Sequence, residues 1–456
     1  MMTWQQLLSH ARVSASGQVV KREGEPERSQ FQRDWDRLIF SNALRRMHDK
    51  TQVFPLPEDD VVHSRLTHSL EAASVGRSLA HAVGAVVVQR RGLDLGASDF
   101  GAIVSAACLA HDIGNPPFGH AGEDAISEFF LHNPVGQEAL RTLPAEERSD
   151  FTAFEGNAQG FRTVARLQME SGGGMRLTAA SLAAFMKYPR LSGGDDVKVP
   201  PRPEMKKHGV HRAEQSIFQA LCQEVGLIAL PGAEHVDGHV RHPLAYLVEA
   251  ADDICYSILD VEDGVHLNLV AARDAEEMLL AIVRNRPGYK DQRRTAFRSP
   301  RERVAFLRAI AIGQLIDECT QAFVDNEEAL LTGAHDRALK DVIPSRDALA
   351  ALNEFARDKC YRSPAVLEIE LAGYEAIGGL LHDLVDAVMS AETRPTKRQR
   401  KTLDLLGQNG AVEDPRALSR YERLLRVTDY VSGMTDRYAL ALYRRIRGIS
   451  VPGRLQ

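Results

Sequence analysis

Apolar residues recur along this chain at intervals of three and four, which is the spacing of one buried face of an α-helix. The clearest runs cover 100–110, 243–264, 304–322 and 363–389. Alternation of apolar and polar residues, the pattern of a half-buried strand, is nearly absent, and no segment repeats. The pattern therefore predicts an all-α fold.

The predicted helix over 100–110 ends in a polar pair, His111 and Asp112. Such a pair taken alone is more simply an exposed helix end. A second apolar run, however, begins near His68 and leads back toward the first helix. If the two helices form an antiparallel hairpin, the start of one lies beside the end of the other. We therefore expect His68 to meet His111 and Asp112 in a geometry that could hold a divalent cation.

The predicted helix over 243–264 supplies a further carboxylate. Asp252 lies next to the apolar stripe of this helix, where a bare charge costs on the order of several kcal/mol unless it is paired or bound to a metal. Tyr256 and Asp260 follow at i+4 and i+8, hence along the same line of the helix. Asp252 is accordingly the expected fourth metal ligand.

Composition narrows the class of protein. The 456 residues are 44% hydrophobic, and a formal net charge of −6 argues against a general polyanion-binding surface. Five widely spaced cysteines without a C-x-x-C pair indicate neither disulfides nor a thiolate zinc site. No apolar run is long enough to span a bilayer, and the first residues lack the pattern of a signal peptide. We therefore expect a cytoplasmic protein with no membrane partner.

A longer motif links the candidate ligands. It comprises Arg65-x-x-His68-Ser69, His111-Asp112-Ile113-Gly114-Asn115-Pro116-Pro117-Phe118-Gly119-His120 and Ala251-Asp252-Asp253. This motif resembles the HD superfamily of metal-dependent phosphohydrolases and, within it, the bacterial dGTP triphosphohydrolase branch, which is related to the vertebrate HD-domain dNTP triphosphohydrolase. The resemblance covers about 33–263 and returns over 421–438. It implies a multi-helix HD-domain bundle with additional C-terminal helices.

The mixed nitrogen and oxygen donors of this motif suit one divalent metal ion, with Mn²⁺, Mg²⁺, Co²⁺, Ni²⁺, Fe²⁺ and Zn²⁺ left open. The expected ligands are His68, His111, Asp112 and Asp252. A metal can lower the pKa of bound water from about 15.7 toward roughly 7, which suits hydrolysis of a phosphate ester.

Three further residues of the motif have expected catalytic roles. Arg65 would reach the phosphate chain, since its guanidinium is always charged. His120 would donate a proton to the leaving oxygen or position the attacking water, and Glu123, three residues on, would hold the ring of His120. By resemblance, attack falls on the α-phosphorus and releases a deoxynucleoside together with inorganic triphosphate.

The resemblance also implies a set of substrate contacts. In the family a glutamine at position 52 contacts the deoxyribose, a lysine and tyrosine at positions 187 and 188 reach the phosphates, and the predicted helix over 151–168 resembles the second active-site helix. The ring of the tyrosine at position 256 would fill the space beside C2′ and so exclude ribose. The expected contacts are Gln52, Val53, Asn157, Lys187, Tyr188, Tyr256 and Asp260.

One departure separates this chain from the vertebrate relative. That relative carries histidines where this sequence has Asn115 and Phe154. Asn115 is what the bacterial branch shows, so the departure favours that branch. His120 is then the main residue expected to act in general acid–base catalysis.

We expect three regions: a loose N-terminal arm over 1–30, an HD phosphohydrolase core over 31–264 with an irregular insertion at about 190–212, and a helical region over 265–456 that packs back on the core. A glycine-rich segment at 171–174 is expected to be flexible. The expected partners are a dNTP substrate and either a dNTP or single-stranded DNA as effector. Family members commonly form hexamers or tetramers, so a homo-oligomer is expected.

Two alternatives stay open at this point. The first is an HD phosphohydrolase that acts on a nucleoside monophosphate, a cyclic nucleotide or an alarmone; Gln52, Tyr256 and Asp260 argue against it. The second is a nucleic-acid-binding regulatory scaffold with a vestigial site, for which the basic cluster at 394–401 is the only local support. A vestigial site would have lost a metal ligand, and all four are present.

Overall fold

The computed structural model describes residues 1–21, 28–54, 62–168, 173–193, 198–284 and 286–450. Parts of three predicted segments lie outside these residues: 22–27 of the arm, 171–172 of the glycine-rich segment and 194–197 of the insertion. The structure is 68% helical and 3% strand, which confirms the predicted all-α class. Within the described part of the chain, no helix is both long and apolar enough to cross a membrane.

The helices have the following bounds. The α-helices are α1 (Trp4–Leu7), α2 (Gln30–Ile39), α3 (Asn42–Arg46), α4 (Arg65–Arg91), α5 (Ala97–Ala110), α6 (His120–His132), α7 (Pro134–Leu140), α8 (Ala145–Thr152), α9 (Gly156–Arg162), α10 (Ala179–Phe185), α11 (Gln215–Val225), α12 (Pro243–His266), α13 (Ala272–Val283), α14 (Asp291–Thr295), α15 (Pro300–Asp325), α16 (Glu327–Thr332), α17 (Arg346–Ala356), α18 (Pro364–Met389), α19 (Lys397–Gln408), α20 (Arg420–Ser432) and α21 (Asp436–Ile446). Strands β1 (Arg12–Val13) and β2 (Val19–Val20) form a small antiparallel hairpin.

Helices α4 and α5 form the antiparallel hairpin that the sequence predicts. Helix α4 begins at a capping box, in which the Ser64 side chain accepts a hydrogen bond from Thr67 N and Thr67 Oγ1 accepts one from Ser64 N. It ends at Gly92, whose φ of +62° is the left-handed conformation that suits glycine. The chain then turns back into α5, which places the start of α4 beside the end of α5.

Helix α12 packs against both helices of this hairpin. The three meet at Gly76, where an added methyl group would lie 2.6 Å from Cys108 Sγ on α5 and 3.4 Å from Ala251 on α12. A side chain at this position would therefore push the helices apart. Because Ala251 precedes Asp252, the close contact brings Asp252 to the end of the hairpin that carries the two histidines.

The N-terminal residues differ from the predicted loose arm. Trp4 is buried, its ring lies 5.2 Å from that of Phe100 and 6.4 Å from that of Phe323, and its Nε1 donates a hydrogen bond to Glu327 at 3.0 Å. A single large aromatic in a polar segment gives no periodic signal. Its burial nevertheless attaches this segment to the core.

The C-terminal half packs on the N-terminal half at two places. Helices α13, α15 and α17 share one hydrophobic core with α4 and α12. Helices α18, α20 and α21 form a second core with α6 and α8, in which Phe129, Phe130 and Phe151 lie against Leu380 and Leu424. The second core holds α6, the helix that begins at His120.

The predicted helix over 151–168 is broken in the structure. Helix α8 ends at Thr152, and α9 begins only at Gly156 and continues as a π-helical turn over Thr163–Leu167. Residues 153–155 therefore form a bend. This bend leaves the first backbone N–H groups of α9 without partners in their own helix.

Candidate active site

Two imidazoles and a carboxylate converge where α4, α5 and α12 meet. His68 Nε2 lies 3.0 Å from Asp252 Oδ1, and His111 Nε2 lies 3.5 Å from the same oxygen. The three residues each offer a ligand atom within 4.8 Å of the others. Donor atoms bound at about 2.1 Å to one tetrahedral ion lie roughly 3.4 Å apart. The three groups are thus spaced as ligands of one divalent metal would be.

Asp112 lies beside this cluster rather than within it. Its Oδ2 is 3.5 Å from His111 Nε2, but the Arg65 guanidinium lies 2.7 Å from that oxygen, and Oδ1 accepts a hydrogen bond of 2.6 Å from Asn115. Asp112 Oδ2 accepts no hydrogen bond of ordinary geometry from the described residues although it is buried. The His-His-Asp cluster, with the Asp112 carboxylate beside it, fits the donor set of a divalent metal.

The charges of the cluster stabilise one another. Burial alone would lower the pKa of His111, but the carboxylates of Asp112 and Asp252 outweigh it and raise that pKa to about 9. Burial alone would raise the pKa of Asp252, but His111 and His68 hold it well below its usual range. The site therefore favours ionised carboxylates beside positive charge, which is the condition a metal cation meets.

The cluster opens into a cavity of about 170 Å³. Eight of the fourteen predicted site residues line this cavity: His111, Asp112, His120, Glu123, Asn157, Lys187, Tyr188 and Asp252. Arg65 and His68 are buried next to it, at 4% and 1% exposure. These ten residues come from α4, α6, α9, α12 and the loops that follow α5 and α10, and they form one site.

His120 and Glu123 do not touch each other. His120 is exposed at the first position of α6 and makes no hydrogen bond within the described residues. Glu123 is buried, and its Oε1 accepts a hydrogen bond of 2.7 Å from Gly156 N, the first residue of α9. The expected contact between Glu123 and His120 is therefore absent from this structure, because the Glu123 carboxylate accepts a hydrogen bond from the start of α9 instead.

Further charged groups line the cavity or lie next to it. Lys187 Nζ lies 3.3 Å from Glu249, which also pairs with Arg241 at 2.7 Å. Lys207 Nζ lies 2.9 Å from Glu155, whose pKa burial and the nearby Glu123 raise to about 7. Sequence reasoning missed Lys207, Glu155 and Glu249. The lysine pair at 206–207 within the irregular insertion was the signal for Lys207.

Four expected substrate contacts lie outside the cavity. Tyr256 accepts hydrogen bonds from Lys340 at 3.2 Å and Asn353 at 3.4 Å, and Asp260 is buried and bonded to the Tyr361 hydroxyl. Gln52 Oε1 is buried without a partner among the residues described, and Val53 packs against the main core. The structure thus does not bring Gln52, Val53, Tyr256 or Asp260 to the cavity.

The C-terminal segment reaches the loop between α5 and α6. Asp436 Oδ1 accepts a hydrogen bond of 3.0 Å from Phe118 N, and its Oδ2 accepts two from Thr51. Lys50 Nζ donates to Asn115 O at 2.6 Å and to Ser432 O at 2.7 Å. These contacts give a physical role to the motif at 432–439, for which the sequence alone offers none.

Comparison with known proteins decides the family. The HD domain profile matches residues 65–178, and the phosphohydrolase-associated domain profile matches 344–445. A deoxyguanosinetriphosphate triphosphohydrolase-like protein of Synechocystis is 41% identical over 458 residues, which cover 99% of this chain and 100% of that protein. The chain belongs to this HD-domain family. The predicted resemblance is thereby confirmed.

Other relatives that align over nearly the full length agree. A deoxyguanosinetriphosphate triphosphohydrolase-like protein of Pseudomonas aeruginosa is 38% identical over 465 residues, which cover 99% of this chain and all of that protein. A deoxyguanosinetriphosphate triphosphohydrolase of Salmonella arizonae is 32% identical over 503 residues, which cover 95% of this chain and 96% of that protein. The protein is thus an HD phosphohydrolase with His/Asp groups that could hold a divalent metal.

Proposed function

We propose that this HD phosphohydrolase hydrolyses dNTPs, dGTP among them, to deoxynucleoside and inorganic triphosphate. The observation that supports the proposal is the convergence of His68, His111 and Asp252 beside a cavity that two lysines, Lys187 and Lys207, also line. The names of relatives that align over the full length point to the same substrate class.

The proposed metal ligands are His68, His111, Asp112 and Asp252. When bound, a divalent ion supplies hydroxide at neutral pH and withdraws charge from a phosphoryl oxygen. His68 and His111 present Nε2 to the same oxygen of Asp252, so these three residues would hold the ion together. Arg65 holds the Asp112 carboxylate in place and adds a fixed positive charge next to the cavity.

The walls of the cavity suit a chain of phosphates. Lys187 and Lys207 both line it, and each is held by a carboxylate that a bound triphosphate could replace. The volume of about 170 Å³ is below that of typical small-molecule pockets, which begin at about 300 Å³. The enclosed part therefore suits the phosphates, with the base outside it.

His120 is the proposed acid–base residue. It lines the cavity at the start of α6, and no hydrogen bond within the described residues ties up its ring. An imidazole can both donate and accept a proton, which suits general acid–base catalysis. We assign it to protonation of the leaving 5′-oxygen.

The decisive experiment measures products. The metal-loaded protein is incubated separately with each dNTP and with GTP, and triphosphate, pyrophosphate and phosphate are separated by chromatography. We expect triphosphate and a deoxynucleoside from at least one dNTP and little turnover of GTP. Pyrophosphate or phosphate as product would overturn the proposal in favour of another HD phosphohydrolase activity.

The remaining parts of the proposal concern regulation and assembly. We propose a cytoplasmic homo-oligomer, either a hexamer or a tetramer, with a dNTP or single-stranded DNA as effector. Light scattering tests the assembly, and turnover of one dNTP in the presence of a second dNTP or of an oligonucleotide tests the effector.

A further inference from the structure

A second set of two imidazoles and a carboxylate lies buried away from the cavity walls. Asp150 on α8 and His208 and His211 in the segment before α11 each offer a ligand atom within 4.8 Å of the others. Their exposures are 1%, 4% and 1%, and none of them lines the cavity. We propose that Asp150, His208 and His211 bind a second divalent transition metal, for which Zn²⁺ is best suited.

The main support is an unpartnered nitrogen. His208 Nε2 is fully buried and has no hydrogen-bond partner among the residues that the structure describes. Buried polar atoms of native proteins nearly always have a partner, so an orphaned nitrogen beside a second imidazole and a carboxylate calls for a bound species.

The carboxylate is oriented for a ligand role. Asp150 Oδ2 accepts hydrogen bonds from Arg212 N at 3.1 Å and from the Tyr421 hydroxyl. Its other oxygen, Oδ1, lies 3.1 Å from His211 Nδ1, a separation that fits two ligands of one ion as well as a direct hydrogen bond. Carboxylate ligands held in this way by outer hydrogen bonds are the rule in metal sites.

The neighbouring cationic side chains bond to groups other than the three proposed ligands. Arg190 and Lys207 are the positive groups that bear on His208. Arg190 Nε donates to Lys207 O at 2.9 Å and to Met205 O at 3.2 Å, and Lys207 Nζ lies 2.9 Å from Glu155. Both cations thus bond to groups other than the three ligands, and the Asp150 carboxylate supplies a negative charge at the site itself.

The donor set decides between kinds of ion. Two imidazoles and one carboxylate suit Zn²⁺ and its first-row neighbours, whereas Ca²⁺ and Mg²⁺ favour oxygen ligands throughout. Three protein ligands leave one position of a tetrahedron for water. The ion would tie α8 to the irregular segment that also carries Lys207, and so anchor that wall of the cavity.

The test uses the full-length protein with the first site removed. The double variant His68→Ala/His111→Ala is stripped with a chelator, reloaded with Zn²⁺, freed of excess metal and analysed for zinc by mass spectrometry. We expect about one zinc per chain in this variant and almost none when His208→Phe is added. The change His235→Phe, at an exposed histidine nearby, serves as the matched control and should leave the zinc content unchanged.

Two results would overturn the second site. One is a double variant that retains no zinc, and the other is a zinc content that His208→Phe does not lower. If His208→Phe fails to fold, as judged by circular dichroism, Co²⁺ replaces Zn²⁺ in the double variant. Visible d–d absorption that titrates to one equivalent then supports the site, and its absence excludes it. Failure of the proposed hydrolase would appear separately, as absent dNTP turnover by the native protein.

Discussion

Asp436 accepts a hydrogen bond of 3.0 Å from the backbone N–H of Phe118, 318 residues earlier in the chain. Phe118 has a φ of +62°, a conformation that non-glycine residues rarely adopt and that needs support from its surroundings. The other oxygen of Asp436 accepts a hydrogen bond from Thr51 N at 2.9 Å. One carboxylate at the start of α21 therefore joins the loop before His120 to the segment that contains Gln52.

Replacement of Asp436 by alanine should loosen both segments. Hydrogen bonds to a buried charged group contribute about 1.5–3 kcal/mol each, so we expect the free energy of unfolding to fall by roughly that amount or more. We also expect kcat to fall, because the loop carries His120. Denaturant unfolding and dNTP turnover measure the two effects.

Asp347→Ala, at a side chain that is 91% exposed, is the control and should change neither. Native stability in Asp436→Ala would show that the contacts to Phe118 and Thr51 are dispensable.

Asp252 should be the most important ligand of the proposed active-site metal. One oxygen of Asp252 lies within 3.5 Å of both histidine nitrogens, whereas Asp112 is already paired with Arg65. We expect Asp252→Ala to abolish retention of the active-site ion and Asp112→Ala to weaken it less. Metal analysis after gel filtration makes the comparison.

The second site proposed above adds its own ion, so both variants are made in the His208→Phe background. Undiminished occupancy in Asp252→Ala would remove Asp252 from the ligand set.

His120→Ala should separate chemistry from stability. His120 is exposed and makes no hydrogen bond within the described part of the chain, so the melting temperature should hardly change. Loss of a positioned acid or base lowers kcat by about 10² to 10⁴. Kinetics and thermal melting are measured on the same preparation, with His132→Ala at the exposed end of α6 as control. A lower melting temperature together with a near-native kcat would mark His120 as structural.

Asp260 offers a prediction about pH. Burial raises its pKa to about 8, above the ordinary value near 3.9, so the folded state binds a proton that the unfolded state releases between about pH 4 and 8. Stability should therefore fall as pH rises through this range, by on the order of 1 kcal/mol per pH unit at most. Asp260→Asn removes the titrating group and should become increasingly more stable than the native protein from pH 5 to 8. Parallel urea curves at each pH provide the measurement, and a constant difference across this range would contradict the prediction.

The site divides into residues that local patterns predict and residues that they cannot. Hydrophobic spacing and capping predict the α4–α5 hairpin, and the hairpin alone brings His68 to His111. The helical line through Asp252 correctly marks a buried face. It does not show that Lys340 and Tyr361, from the C-terminal half, form hydrogen bonds with Tyr256 and Asp260.

The pairing of His120 with Glu123 shows a second limit of local patterns. Their spacing of three residues makes them neighbours on α6, and from sequence that suffices to expect a contact. The structure instead turns Glu123 toward Gly156 N, because the bend before α9 leaves an N–H group that needs an acceptor. Helical spacing predicts which residues could meet, whereas the unsatisfied groups of distant segments decide which ones do.

Lys207 should contribute to substrate binding more than to chemistry. Its Nζ lies 2.9 Å from Glu155 in the wall of the cavity and bonds to none of His68, His111 and Asp252, so we expect it to bind a phosphate rather than to act at the scissile bond. We expect Lys207→Met to raise KM for the dNTP about tenfold with little change in kcat, the pattern of lost uniform binding.

The neighbouring Lys206 is exposed and does not line the cavity, so Lys206→Met changes the net charge equally and controls for long-range attraction. Steady-state kinetics at two salt concentrations separate the cases, because an effect of net charge would appear in both variants and fade with salt. If Lys207→Met lowers kcat and leaves KM unchanged, the triphosphate does not lie along this wall.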